Sequence, residues 1–436
     1  MAIFVFISII FIIFSFFNFK GSFVLFSAVK MLALNAMCLR YTPPALSMET
    51  FLITYYIIAF LFKGYLKDFS FVFSKYPLKN YFIIELISVF ASVVISLIPL
   101  NSLLTGVSLY IIDDIIYSLL FFIMLIRDKN IIRQFIVYSM IIYVIASIFG
   151  IYEFFTGYNF FYKYLSDNVS EKLLEGKLMN AGERLGMVRV KSLFVSPNNM
   201  IYGAFLSSLA FAYNTYFRKK IPCVLPFTFL AITTIFIANS RTVLLSSFVV
   251  LLPMFIKNRR SLKYTFIAVV LLLLAYPFLE RFIPNITSVL YSDDRNALSG
   301  SSVEMRVGQL EASWKLFLRS PIVGNGFRSC IYFEKIMPEL FGTESIWFKL
   351  LIERGIVGLF AYFYMFYIMV TRCDILKNSI LFFYIAGYLV ANTMSSLPGF
   401  SMSYLYTTTL MLFYMKHQKK LKILQYEYYL NSYFKR

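Results

Sequence analysis

The sequence predicts an all-α fold: a polytopic transmembrane helical bundle of about 12 to 13 spans, with a large outward-facing loop that contains an amphipathic helix. Three observations predict it. The chain has 436 residues, 60% of them hydrophobic and only 14% charged, with a mean hydropathy of +0.73, which lies outside the range of soluble domains. Apolar runs long enough to cross a bilayer recur along the whole chain. The basic residues gather in alternate short loops, so the net charge of +19 reads as inner-loop lysine and arginine and not as a nucleic-acid surface.

The first run, Ala2 to Phe17, has no basic residue before it and no small-residue cleavage site after it, and reads as a retained helix. Spans are expected near 2–19, 22–39, 48–66, 80–100, 108–126, 134–155, 198–217, 221–239, 241–257, 262–278, 346–370, 378–397 and 400–415. Lys63, Lys67, Lys75 and Lys79 mark one inner loop, and Arg127, Lys129 and Arg133 another. Arg218 to Lys220, Lys257 to Lys263, Arg372 with Lys377, and the tail from Lys416 mark the rest. The short loops at 101–107 and 398–399 carry no basic residue. Counting alternately puts every basic loop on one side, the cytoplasmic side.

The chain then divides into N-terminal helices (1–155), an outer loop (156–197), helices (198–278), a large outer loop (279–345), C-terminal helices (346–415) and a basic inner tail (416–436). No inner loop is long enough to fold around a nucleotide sugar or ATP. That excludes a soluble-type glycosyltransferase and an ATP-driven transporter. Cys38, Cys223, Cys330 and Cys373 are scattered without CxxC spacing, so neither a zinc site nor a disulfide framework is indicated. Cys38 and Cys330 both fall on the outer side, with nothing to pair them.

Within the large loop, Ser301-Ser302-Val303-Glu304 has capping-box spacing. Val303, Val307, Leu310, Trp314, Phe317 and Leu318 follow at helical intervals, with Arg306, Gln309 and Ser313 on the other face. Such a helix suits a membrane surface. Pro321 and Gly324-Asn325-Gly326 end it, and this glycine pair reads as a turn, not a phosphate loop.

Ionisable groups at a membrane edge are costly and are candidates for function. Arg241, in Asn239-Ser240-Arg241-Thr242, stands where two apolar runs meet on the outer side. Arg184, Arg189 and Lys191 crowd the stretch leading into Ser196-Pro197-Asn198-Asn199 at the next helix start, a setting that suits an anionic group. Glu344 precedes the helix after the large loop, where an acid also serves as a cap. Asp113-Asp114 is a further acidic candidate, but no third ligand accompanies it, so no metal is expected. The single histidine, His417, lies in the inner tail, which excludes a histidine base on the outer face.

Three patches together resemble the O-antigen polymerases (Wzy-type) within the O-antigen ligase and polymerase superfamily. One runs from Arg189 through Ser196-Pro197-Asn198, and another is Asn239-Ser240-Arg241-Thr242. The third joins Arg306, Trp314 and Pro321-Ile322-Val323-Gly324-Asn325-Gly326 to Glu344-Ser345 and Glu353-Arg354-Gly355-Ile356-Val357-Gly358-Leu359. The patches cover about 180 to 360; the first half is similar only in hydropathy. In the ligase branch the helix after the large loop is expected to open with histidine, whereas Glu344 here resembles the polymerase branch.

The resemblance implies undecaprenyl-diphosphate-linked oligosaccharides as substrates, with a growing glycan moved onto the non-reducing end of a new lipid-linked repeat unit on the outer face of the bacterial inner membrane. It implies membrane lipid and a chain-length regulator protein as partners, no nucleic acid, and no cofactor, since the diphosphate linkage already stores the energy. Fixed positive charge must meet the leaving diphosphate, from Arg241, Arg189, Arg184 and Arg306, with Asn198 beside them. A carboxylate must take the acceptor's proton: Glu344 first, Asp113 second. Two alternatives stand. A ligase would use the same donor and transfer the glycan to a lipid A core. A flippase would move the lipid-linked oligosaccharide without chemistry, and broken spans or repeats, its usual marks, are not evident in the sequence.

Overall fold

The computed structural model describes residues 2–32, 38–40, 46–163, 189–194, 196–217, 219–256, 303–340, 343, 345–373, 375–377, 379–394 and 402–434. The fold is all-α. Its helices are α1 (Ala2–Phe17), α2 (Phe19–Val29), α3 (Met48–Phe62), α4 (Phe69–Lys75), α5 (Lys79–Val93), α6 (Leu100–Tyr110), α7 (Tyr117–Arg127) and α8 (Ile131–Thr156). They continue with α9 (Tyr202–Tyr216), α10 (Val224–Ile237), α11 (Arg241–Ile256), α12 (Val303–Arg319), α13 (Ser329–Ile336), α14 (Ile346–Cys373), α15 (Ser379–Met394) and α16 (Met402–Phe434). The only extended pairing among the described residues is a short antiparallel one between Cys38–Arg40 and Leu46–Ser47.

Three helical stretches are long and apolar enough to cross a bilayer: Leu100–Arg127, Ile131–Thr156 and Ile346–Cys373. Shorter apolar helices, among them α2, α3, α10, α11 and α15, fill the bundle. The expected span at 262–278 lies outside the described residues. Large apolar side chains are left on the outside, with Phe17 at 85%, Phe62 at 88% and Phe155 at 78% exposure. An apolar skin of that kind on a helical bundle marks a membrane protein.

Several boundaries differ from the sequence reading. Residues 101–107, expected as a loop, are helical: α6 runs through a π-helical turn, Ile111–Ile116, into α7. Its polar residues bond within the helix, Thr105 to the Asn101 carbonyl at 2.8 Å and Ser108 to that of Thr105 at 2.9 Å, so low hydropathy did not mean a break. The span expected at 22–39 stops at Val29, because Lys30 turns into the bundle to meet Glu49. The supposed tail from Lys416 continues α16 without interruption to Phe434. Lys75 and Lys79 do not share a level with Arg127. Between them, the Tyr76 hydroxyl bonds Ser118 at 2.7 Å, and Ser118 stands nine residues, roughly 13 Å, before Arg127 on α7.

Ring and hydroxyl contacts fix the helix directions. Tyr202 of α9 meets Tyr404 of α16 with centroids 4.8 Å apart, while Tyr388 and Tyr384 of α15 reach Met402 and Thr408 of α16 at 3.5 and 3.1 Å. Phe205 packs on Tyr384 at 4.7 Å, and Gly387 lies against Ser246 and Val250 of α11. Hence α9, α11 and α16 run one way and α15 the other. The C-terminal end of α15 stands with the N-terminal ends of α9, α11 and α16. Tyr117 and Phe122 of α7 meet Thr407 and Phe413 in the same order, so α7 is parallel to α16. Its basic end, Arg127, therefore lies opposite that mouth, together with Lys20, which pairs Asp128 at 3.2 Å.

Candidate functional site

The mouth is assembled from four chain segments. The first is the turn 189–194. It is held by Glu153 in the last turn of α8, whose carboxylate accepts from the backbone N–H of Ser192 at 2.6 Å, that of Lys191 at 3.3 Å and the Asn159 amide at 2.8 Å. Asn159 also donates to the Ser192 carbonyl at 2.9 Å, and the Tyr162 hydroxyl closes on the Phe194 carbonyl. Ser192 has φ 55, a left-handed conformation that a non-glycine residue keeps only when its surroundings impose it. The Lys191 ammonium sits 5.1 Å over the Tyr162 ring. Burial pushes its pKa down to about 8, Glu153 opposing and the Arg189 charge adding to the fall.

The turn leads to the second segment, where Ser196 caps the short helix Pro197–Ile201 and Pro197 takes the first helical position. The Ser240 hydroxyl donates to the Asn198 side-chain oxygen, both residues being buried. This bond joins two stretches that the sequence singled out 42 residues apart. Asn239, at φ 49, makes the tight reversal that lets Arg241 open α11 immediately afterwards.

The third segment is α12, whose buried side mixes Gln309 and Ser313 with Ala312, Leu316 and Phe317. Gln309 and Ser313 are fully buried, whereas Val307, Leu310, Trp314 and Leu318 are 47% to 61% exposed. The sequence separated Gln309 and Ser313 from Val307, Leu310, Trp314 and Leu318 as the structure does, but Phe317, expected with the latter, packs inward at 8% exposure. Arg306, on that inward face, donates from Nη2 to the Met394 carbonyl at the end of α15, at 3.5 Å. The fourth segment is the start of α14, where the Trp347 indole N–H donates to Thr393 at 2.9 Å and Thr343 and Ser345 are buried. Since α15 ends where α11 begins, Asn198, Arg241, Arg306 and the start of α14 share one end of the bundle. Glu344 and Arg184 lie outside the described residues.

Below the mouth, two of the quoted motifs prove to be one device. Helix α14 breaks at Gly355, φ 57 and ψ −147, and the turn 321–326 threads the break. Asn325 and Gly326 donate their backbone N–H groups to the carbonyls of Ile352 (2.7 Å) and Glu353 (3.2 Å). Ile356 and Val357 donate to those of Pro321 (2.9 Å) and Ile322 (3.1 Å). The amides of the glycine turn are thus spent on protein, as befits a turn and not a phosphate cradle. The break also corrects the expectation of unbroken spans. Next to it, Arg354 pairs Glu85 of α5 in the interior.

Asp113 is not joined to the arginines by any described contact. It stands at the same end of the bundle, in the π-helical turn, where Thr50 donates to its carboxylate at 3.3 Å and the Lys30 ammonium to its carbonyl at 3.0 Å. Lys30 in turn pairs Glu49 at 2.6 Å and lies 3.8 Å over the Tyr117 ring. Among the described residues no three metal-ligating side chains gather. Sequence reasoning missed Glu153, Glu49, Lys30 and Glu85. Glu85 and Glu153, each an acid inside an apolar run, carried the signal that found Asp113.

Residues 226–363 match the family model described as O-antigen ligase. The match takes in Arg241, Arg306, the threaded break and the first half of α14. It covers less than half of the chain and is a likeness to that family over this region, without separating polymerase from ligase. No curated protein and no solved structure matches the chain.

Proposed function

We propose that the protein is a polysaccharide polymerase that transfers a growing glycan from undecaprenyl diphosphate to the non-reducing end of a new undecaprenyl-diphosphate-linked repeat unit at the outer face of the inner membrane. The observation that carries the reading is the convergence of Arg241, Asn198 and Arg306, drawn from separate stretches, at one end of an apolar bundle. In the reaction an acceptor hydroxyl oxygen bonds to the anomeric carbon as the bond from that carbon to the diphosphate oxygen breaks. The leaving undecaprenyl diphosphate keeps the electron pair, and the acceptor proton passes to a carboxylate, assigned to Glu344, with Asp113 as the alternative.

Arg241, Arg189, Arg184 and Arg306 would meet the charge growing on the leaving group, where fixed donors act most strongly because they need no reorganisation. A guanidinium fork suits phosphate oxygens better than an ammonium. Helix α12, with Arg306, Gln309 and Ser313 inward and Leu310, Trp314 and Leu318 outward, suits a substrate whose head enters the mouth while its tail stays in lipid. A chain-length regulator would meet the protein at the same face.

The ligase reading is favoured by the description of the matching family; Glu344, where the ligase branch carries histidine, favours polymerisation. The test is elongation by the purified protein in liposomes supplied with lipid-linked repeat units. A ladder of lengthened lipid-linked glycan supports polymerisation. Transfer only to added lipid A core makes it a ligase, and movement across the bilayer at unchanged length makes it a flippase.

A further inference from the structure

We propose that Glu153 is a positioning residue for the mouth, fixing the cationic turn 189–194 so that Lys191 meets the diphosphate of the lipid-linked substrate. The proposal deepens the functional reading and rests on it. A carboxylate in the last turn of a helix faces the negative end of the helix dipole, an unfavourable place that needs compensation. Here the compensation comes from outside the helix, through two backbone N–H groups and an amide from segments up to 39 residues away. Gly157, at φ 67, closes α8 directly after it and lets the chain turn back so that Asn159 can reach both Glu153 and the Ser192 carbonyl.

The result over-determines Ser192, whose N–H, carbonyl and hydroxyl are all engaged, the last with the Ala146 carbonyl. A turn fixed at three atoms of its left-handed residue is held in place, and the backbone of Lys191 next to it is held with it. Lys191 is 6% exposed and faces the Tyr162 ring, Glu153 and Arg189. Its pKa of about 8 leaves the ammonium charged below that pH and neutral above it. Because Glu153 supports the charged form, loss of that carboxylate lowers the pH at which the ammonium is lost.

The test uses the full chain in liposomes, with E153Q and N159A beside the wild type. Donor turnover should fall as pH rises through about 8 in the wild type, and in E153Q the fall should move down by about one unit, with KM for the lipid-linked donor raised roughly tenfold and kcat little changed. N159A loosens the turn without touching the charge, so it should raise KM with the midpoint in place. Acylation of the Lys191 amine, followed across pH by mass spectrometry, reads the same titration without catalysis, and inorganic pyrophosphate should protect that amine in the wild type about tenfold better than in E153Q. An E153Q protein of unchanged thermal stability with wild-type KM, midpoint and protection overturns the proposal, as does a wild-type Lys191 that pyrophosphate does not protect. Protection without any elongation of lipid-linked glycan supports the proposal and removes the polymerase reading instead.

Discussion

Charged residues in the interior tie helix to helix, and those at the mouth stand on turns and helix ends. In the interior, Arg354 pairs Glu85, and in the N-terminal flank Lys30 pairs Glu49, so each cation is cancelled by a carboxylate of another helix. At the mouth, Arg306 donates to the Met394 carbonyl, and a hydrogen bond from Ser240 to Asn198 stands just before Arg241. The interior pairs hold helices together, and the mouth arginines are proposed to hold a substrate.

That difference is broken most directly by Arg354→Ala. It strands a buried carboxylate, which costs about 3–5 kcal/mol, whereas replacing both partners by leucine should recover most of the loss. Denaturation of the purified protein in detergent reads this. A single variant as stable as the wild type would move Arg354 from the structural group to the functional one. Arg241→Ala should do the reverse, leaving thermal stability nearly unchanged while lowering elongation about 10²-fold or more. Lysine at 241 should restore little, because one ammonium does not reproduce a fork of donors. If the ladder of glycan lengths were unchanged in R241A, the mouth would lose its central assignment.

Gly355→Ala should show an intermediate effect on both readouts. An added Cβ there would stand 2.5 Å from the Pro321 carbonyl oxygen and 2.7 Å from that of Ile322, at a φ of 57 that alanine adopts reluctantly. The strain should cost more than about 1 kcal/mol and displace the 321–326 turn from α14. Since that turn connects α12 with α13, Arg306 is expected to lose part of its aim. A stability loss with no change in turnover would show that the threaded break serves folding alone.

Much of this was legible in the sequence because hydropathy is a local signal. The positions of α3, α8 and α14, and the separation of Gln309 and Ser313 from Leu310, Trp314 and Leu318 on α12, all follow from short windows of sequence. What the windows hid is non-local. Nothing near Glu153 announces amides that lie beyond an intervening stretch of some 38 residues. Gly355 looks like any glycine in a membrane helix until the 321–326 turn is laid into the break. Asp113 and Asp114 read as a pair for chemistry, yet Lys30 and Thr50, which engage Asp113, come from helices expected to be plain spans. Residues 101–107 failed for a different reason: hydroxyls that bond back into their own helix lower hydropathy without ending it.

The smallest effect concerns α12, and it sharpens the comparison from the lipid side. If the helix carries its polar face to the mouth and its apolar face to the bilayer, cysteine at Leu310 should resist a charged aqueous thiol reagent and accept a lipid-soluble one. Leu310 is 47% exposed, so burial in protein would not explain such resistance. Cysteine at Lys315, on the same helix away from the apolar stripe, should react with both. Elongation should change less than about twofold in either variant, as surface substitutions away from caps, cores and ion pairs usually shift stability by under 0.5 kcal/mol. Ready labelling at 310 by the charged reagent would put the apolar face in water, and α12 would then have to be covered by something other than lipid.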